Sequence, residues 1–256
     1  MKQTKLFFFL MAAFIIFNAG SLHSQDWKKL VEEGDKLATK QFKNNDALKK
    51  FKEADKLSPN NWEIYWRLSR SYVDIGEHSG GNAQLSNYET AESYATKAIK
   101  LAPDKSINYL RRAIANGRIA LFKNVFSAAS IVNSVKADVE KALQLGNGGS
   151  EVQATANYVL GRTHNKLCEK AYIFRAPLGL GWGDIDEAIK YLNKAIKLRP
   201  NFRMFHLEIA KAYIENDQYD KARTHLNKVA GIPFLDEDDS AVANEAKALL
   251  NEIKGK

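Results

Sequence analysis

Small and apolar residues recur every three or four positions through almost the whole chain from Asp26 onward. That period is the signature of amphipathic helices. The clearest stretch runs from Asp184 to Val229. In it Ala188, Leu192 and Ala195 share one helical face, and Pro200 in Arg199-Pro200-Asn201 stops the helix. Ala222, Leu226 and Val229 repeat that face 34 residues later (222 − 188). Between the two copies, His206, Ile209, Ala210 and Tyr213 mark a helix of a second kind. The repeating unit is therefore a helix pair. One pair cannot bury both of its faces, so pairs must stack to build a core.

The unit recurs about five times, over 27–59, 62–103, 106–147, 154–200 and 203–234, and a closing helix is expected over 237–253. The first unit has Leu30, Val31, Gly34, Leu37 and Ala38, then Ala47, Phe51 and Ala54. Its Asp35 stands where a small residue is usual, and Asp46 is expected to cap the second helix. In the second unit Tyr65, Leu68, Ser69 and Tyr72 fit, and Gly76 is expected to close the helix. Ala91 then arrives ten residues late ((91 − 69) − 12), which predicts a long loop over 77–85. The third unit carries Arg112 in place of a leucine and Asn147 in place of the proline, and its apolar span 114–132 predicts that both helices are lengthened. The fourth opens on Leu160-Gly161, and its second helix waits until Asp184, an excess of 15 residues ((188 − 161) − 12). The inserted Glu169–Gly183, EKAYIFRAPLGLGWG, is too apolar for a solvated loop and is expected to fold back onto the array or meet a partner. Asp236–Asp239 precede the last helix, where acids offset the positive end of the helix dipole.

Composition narrows the class. Five prolines and fifteen glycines in 256 residues argue against a disordered or collagen-like chain. The formal charge of +8 is spread among acids at helical spacing, with no dense basic run of the kind that binds nucleic acid. Ahead of the repeats, Lys2 and Lys5 precede the continuous apolar run Leu6–Phe17, followed by Ala19, Gly20, Ser21 and Ser24. That order predicts a secretory signal peptide over residues 1–25 and a periplasmic or secreted mature chain with no stable membrane insertion. A competing reading keeps the same run as an N-terminal membrane anchor. Cys168 is the only cysteine, so no intramolecular disulfide can form and the fold must hold by packing.

The spacing of aromatic-x-x-Leu-small-x-x-Tyr, Ala-x-x-x-large and Pro resembles the tetratricopeptide (TPR) repeat. The resemblance implies an all-α, right-handed superhelical array of about five TPR-like helix pairs with a C-terminal capping helix. Four further pieces resemble the regulator of microtubule dynamics family: Leu160-Gly161-Arg162, Ala176-Pro177-Leu178-Gly179, Asp186-Glu187-Ala188-Ile189 and Arg199-Pro200-Asn201. The insertion lacks that family's tryptophan near Cys168–Tyr172. Members of the family in animals are linked to microtubules, which implies a microtubule-associated role as one alternative.

In such an array the first helix of each pair faces a concave groove. Side chains one position past the pattern aromatic, and four further on, are expected to line it: Trp66 and Arg70, Leu110 and Ile114, Tyr158 and Arg162, Leu207 and Lys211, with Arg118 and Lys166 one turn beyond. Aromatic residues and arginine are frequent energetic centres of interfaces, so the expected partner is a protein or peptide with some acidic character. The plain alternative makes Trp66 an inter-repeat packing residue and Arg70, Arg162 and Lys211 solvated charges. A second hypothesis places a small-molecule or glycan pocket at Tyr172, Phe174 and Trp182 of the insertion. His164 and Cys168 share a helix face but lack the further ligands of a zinc site, and His206 and His225 fit interior or rim positions better than a catalytic pair. No nucleotide-binding or hydrolase motif is present in the sequence, so no enzyme activity, cofactor or metal is expected.

Overall fold

The computed structural model describes residues 26–256, and the expected leader, residues 1–25, lies outside the described residues. Residues 26–40 form α1. It is followed by α2 (Asn44–Leu57), α3 (Trp62–Glu77), α4 (Gly81–Leu101), α5 (Ser106–Ala120), α6 (Val125–Leu145) and α7 (Gly149–Cys168). The single turn α8 (Tyr172–Arg175) and a 3-10 turn (Ala176–Leu178) precede α9 (Ile185–Leu198), α10 (Arg203–Glu215), α11 (Tyr219–Gly231) and α12 (Asp239–Glu252). Among the described residues there is no strand. The helices pair as α1/α2, α3/α4, α5/α6, α7/α9 and α10/α11, and α12 closes the array against α10 and α11. First helices pack side by side, α3 on α5, α5 on α7 and α7 on α10, which makes them the inner layer of the solenoid.

The stripe read from the sequence is the core. Ala188, Leu192, Ala195, Ala222, Leu226 and Val229 are all buried between the last pairs. Burying one leucine contributes about 1.5–3 kcal/mol relative to leaving it exposed. The small residue of each first helix lets the second helix approach. A Cβ on Gly161 would lie 2.8 Å from Leu192 Cγ and 3.0 Å from the Ala188 carbonyl oxygen. Gly34 occupies the same place in the first pair, where a Cβ would lie 2.5 Å from Phe51 Cε1. This corrects the sequence register by one residue: Gly34, not Asp35, is the small position, and Asp35 turns toward the inner face, where it meets Arg67 and Arg70.

The extra residues mostly lengthen helices. The ten-residue excess after α3 is not a long loop, because α4 starts at Gly81 and runs for 21 residues. Tyr88 on that added length is buried and packs against Gly76. Gly76 therefore admits a ring, and the helix continues to Glu77. Downstream, α6 is lengthened to 21 residues and capped by Asn124, whose side chain accepts from the Ser127 amide at 3.1 Å. Its partner α5 stays at 15 residues, so only one of the two helices is extended. Asp46 lies inside the first turn of α2 and makes no cap, since that helix already starts at Asn44. Arg112 replaces the expected leucine by a bidentate ion pair: its Nε and Nη2 donate to the buried Asp138 carboxylate at 2.8 and 2.7 Å.

The apolar insertion divides in two. Leu178, Leu180 and Trp182 fold back on Ala129, Val132 and Leu167. The Trp182 indole N–H donates to Asn133 Oδ1 at 2.8 Å, and His164 meets its ring edge-on. Tyr172, Ile173 and Phe174 point outward, with Phe174 73% exposed.

Candidate interaction groove

The first helices place successive rows of side chains along one face of the array. One row is Trp66, Leu110, Tyr158 and Leu207, and the next is Asp35, Arg70, Ile114, Arg162 and Lys211. Leu110 and Leu207 are 1% and 0% exposed, so they belong to the core and do not line the groove as expected. The first helices pack so closely there that an aliphatic side chain is swallowed, whereas the longer Trp66 and Tyr158 keep some exposure.

Most cations on this face are paired within the chain. Asp35 accepts from Arg67 Nε at 2.8 Å and from Arg70 Nη2 at 3.1 Å. Arg118 pairs with Glu77. The buried Glu208 carboxylate meets Lys211 at 3.1 Å and Arg162 at 3.5 Å, and Lys211 also reaches Glu245 at 2.8 Å. Lys166 pairs with Glu169 at the rim. The helical pattern points to none of these acids. The one-residue slip hides Asp35, and Glu208 directly follows a leucine that the pattern assigns to the groove.

Trp66 is the centre of the N-terminal half of the face. The guanidinium carbons of Arg67, Arg70 and Arg111 lie 4.1, 5.6 and 5.6 Å from its ring centroid, within cation–π range. Arg111, not anticipated from the sequence, has a buried Nε with no hydrogen-bond partner among the described residues, and so does Arg70. Burial, with Arg70 next to it, lowers the Arg111 guanidinium to about 10. Beside them, burial raises the Asp74 carboxyl to about 7, although Arg70 and Arg111 oppose the shift. Tyr158 stays neutral: burial pushes its phenol up to about 12, and its oxygen accepts from Arg162 Nη1 at 3.0 Å.

Trp182 is held against α6, Tyr172 lies beside Gly181 with Arg175 against its ring, and Phe174 is exposed. His206 and His225 meet through their Nδ1 atoms at 2.9 Å, and His206 Nε2 lies 2.9 Å from the Pro200 carbonyl. They lie between α10 and α11 of the last repeat beside Tyr213, with His206 buried and His225 half-buried. Among the described residues no group of acids, histidines and cysteine has the arrangement of a metal site, and no helix is long and apolar enough to cross a membrane.

The C-terminal loop returns to the first repeat. Asn44 Nδ2 donates to both carboxylate oxygens of Glu237 at 2.9 and 3.0 Å, across 193 residues of sequence. His78 Nε2 lies 3.3 Å from the same carboxylate.

Known proteins share this architecture. Residues 30–254 match the profile of the family described as regulator of microtubule dynamics protein 1-3. The chain is 25% identical over 197 residues to regulator of microtubule dynamics protein 3 of Rattus norvegicus, covering 73% of this chain and 40% of the relative. It is 23% identical over 199 residues to regulator of microtubule dynamics protein 2 of Bos taurus, covering 75% and 48%. The chain thus spans less than half the length of these curated relatives. Among solved structures, a thermophilic TPR protein of Thermus thermophilus superposes with a TM-score of 0.60 at 16% identity, covering 87% of this chain and 99% of that one. That likeness establishes the solenoid fold.

Proposed function

Since the chain belongs to the regulator of microtubule dynamics protein 1-3 family, we propose that it is a TPR scaffold whose concave face receives a segment of a protein partner. The observation that carries this reading is the cluster around Trp66, where an indole is surrounded by three guanidinium groups and the buried Arg111 Nε lacks a hydrogen-bonding partner among the described residues. An aromatic platform with arginines is the kind of surface that concentrates binding energy when a partner excludes water. On this reading the scaffold acts by display alone.

The leader-like run Leu6–Phe17 supports an exported scaffold. Affinity capture from an envelope extract tests the function. A partner retained by the wild-type chain should be lost from a Trp66→Ala, Arg162→Glu variant and kept by an outer-surface Phe126→Ser variant. Retention by the groove variant with loss from Phe126→Ser would refute the assignment. Family membership also favours a second reading, a microtubule-associated role, which co-sedimentation of the purified chain with assembled tubulin would test directly.

A further inference from the structure

The segment between α11 and α12, Ile232-Pro233-Phe234-Leu235-Asp236-Glu237-Asp238, is fixed at both ends. Arg203 is buried and donates through Nε to the Ile232 carbonyl at 2.8 Å and through Nη1 to the Asp239 carbonyl at 3.3 Å. Asp239 is also buried, and its carboxylate accepts from the Leu235 and Asp236 amides. Between these anchors the chain arches over to the first repeats. Glu237 is gripped by the Asn44 amide and sits beside His78, while Asp238 lines a cleft with Arg118, Gln84 and Tyr88.

Two open spaces flank the acidic residues. One, of about 500 Å³, is bounded by Phe42, Asn44, Ile75, His78 and Glu237. The other, of about 360 Å³, is bounded by Glu77, Tyr88, Arg118, Phe122 and Asp238. Both have apolar side chains, Phe42 and Ile75 in the first and Tyr88 and Phe122 in the second, beside polar and charged groups. The contact is small: Phe234 and Leu235 remain exposed, and the segment touches the first repeat through carboxylate chemistry. The carboxylate of Glu237 is met by the Asn44 amide and by His78, whereas Arg118 beside Asp238 is already paired with Glu77, and room is left on each side for a longer chain.

We propose that this surface, formed by Asn44 and His78, binds an extended acidic segment of a partner protein, and that Glu237 of the α11–α12 segment occupies it in cis. The proposal rests on the groove reading above and names the class of its partner. Held at both ends, the internal segment competes at an effective concentration on the order of millimolar, as short tethers do. A partner must therefore displace it, and the free chain is partly closed.

The test uses a fluorescein-labelled synthetic peptide with the sequence of residues 232–240 as probe, read by anisotropy. A Glu237→Gln, Asp238→Asn chain should bind it at least about tenfold more tightly than the wild-type chain, since removal of an internal competitor frees the site. Adding Asn44→Asp and His78→Glu to that chain should abolish the gain, and a peptide with its acids replaced by amides should not bind. Should the double variant fail to fold, Glu237→Gln alone carries the same comparison. Equal binding by wild type and released chain, or no binding by either, would overturn the proposal. Groove crosslinks to a partner that persist alongside such a result would leave the groove reading standing, so the two failures are distinguishable.

Discussion

Asp74 offers a quantitative handle on the inner face. It sits beside Arg70 and Arg111, yet burial outweighs their attraction and its carboxyl rises to about 7, with Glu77 and Glu237 adding repulsion. The unfolded chain loses this proton near the ordinary value of 3.8, and the folded chain holds it until about 7. Between those values the native state binds more protons, so this group's contribution to stability falls as pH rises. The full difference of about three pH units corresponds to roughly 4 kcal/mol at about 1.4 kcal/mol per unit. Asp74 retains some solvent contact, and screening reduces the expected effect to about 2 kcal/mol. An Asp74→Asn variant fixes the uncharged form. Urea denaturation of both proteins should show the variant gaining on wild type by about 1–3 kcal/mol between about pH 4 and pH 7, with no further gain above that range. A variant that loses stability relative to wild type as pH rises would refute this reasoning. It would mean that the carboxylate is a well-satisfied ion-pair partner of Arg70 and Arg111.

Three other expectations follow from the packing. Gly161→Ala forces a Cβ against Leu192 and the Ala188 carbonyl, so thermal unfolding should show a loss of about 1–3 kcal/mol. Asp138→Ala strands Arg112 and should cost about 1–3 kcal/mol in chemical denaturation, whereas Arg112→Leu with Asp138→Ala should recover most of the loss. His225 is lowered from 6.5 to about 4 by burial, then by His206, so its contribution is intact above pH 6.5 and is lost as pH falls toward 4. A His225→Gln chain that still folds should therefore lose less stability than wild type over that window, as followed by circular dichroism.

The repeat architecture is legible because it rests on local periodicity. Ala188, Leu192 and Ala195 announce a buried stripe from their spacing alone, and Gly161 marks a helix contact through its size. The first repeat slips because Gly34 and Asp35 are adjacent and both stand at helical spacing from an apolar residue; only the approach of Phe51 separates them. The excess before Ala91 reads as a loop because Ser79-Gly80-Gly81-Asn82 is turn-like, yet Tyr88 buried against Gly76 favours helix from Gly81 onward. The site is less legible. A helical pattern identifies which side chains face inward, but not that Asp35, Glu77 and Glu208 neutralise the cations there. Most of those pairings cross between helices. The contact of Glu237 with Asn44 closes over 193 residues and has no local signal.

Site-specific photo-crosslinking tests the central claim most directly. A benzoylphenylalanine at Ile114, on the first-helix layer, should capture a discrete partner on irradiation of living cells, while the same group at Lys100 on a second helix should capture none. Capture from Lys100 with none from Ile114 would contradict the assignment of the concave face as the interaction surface.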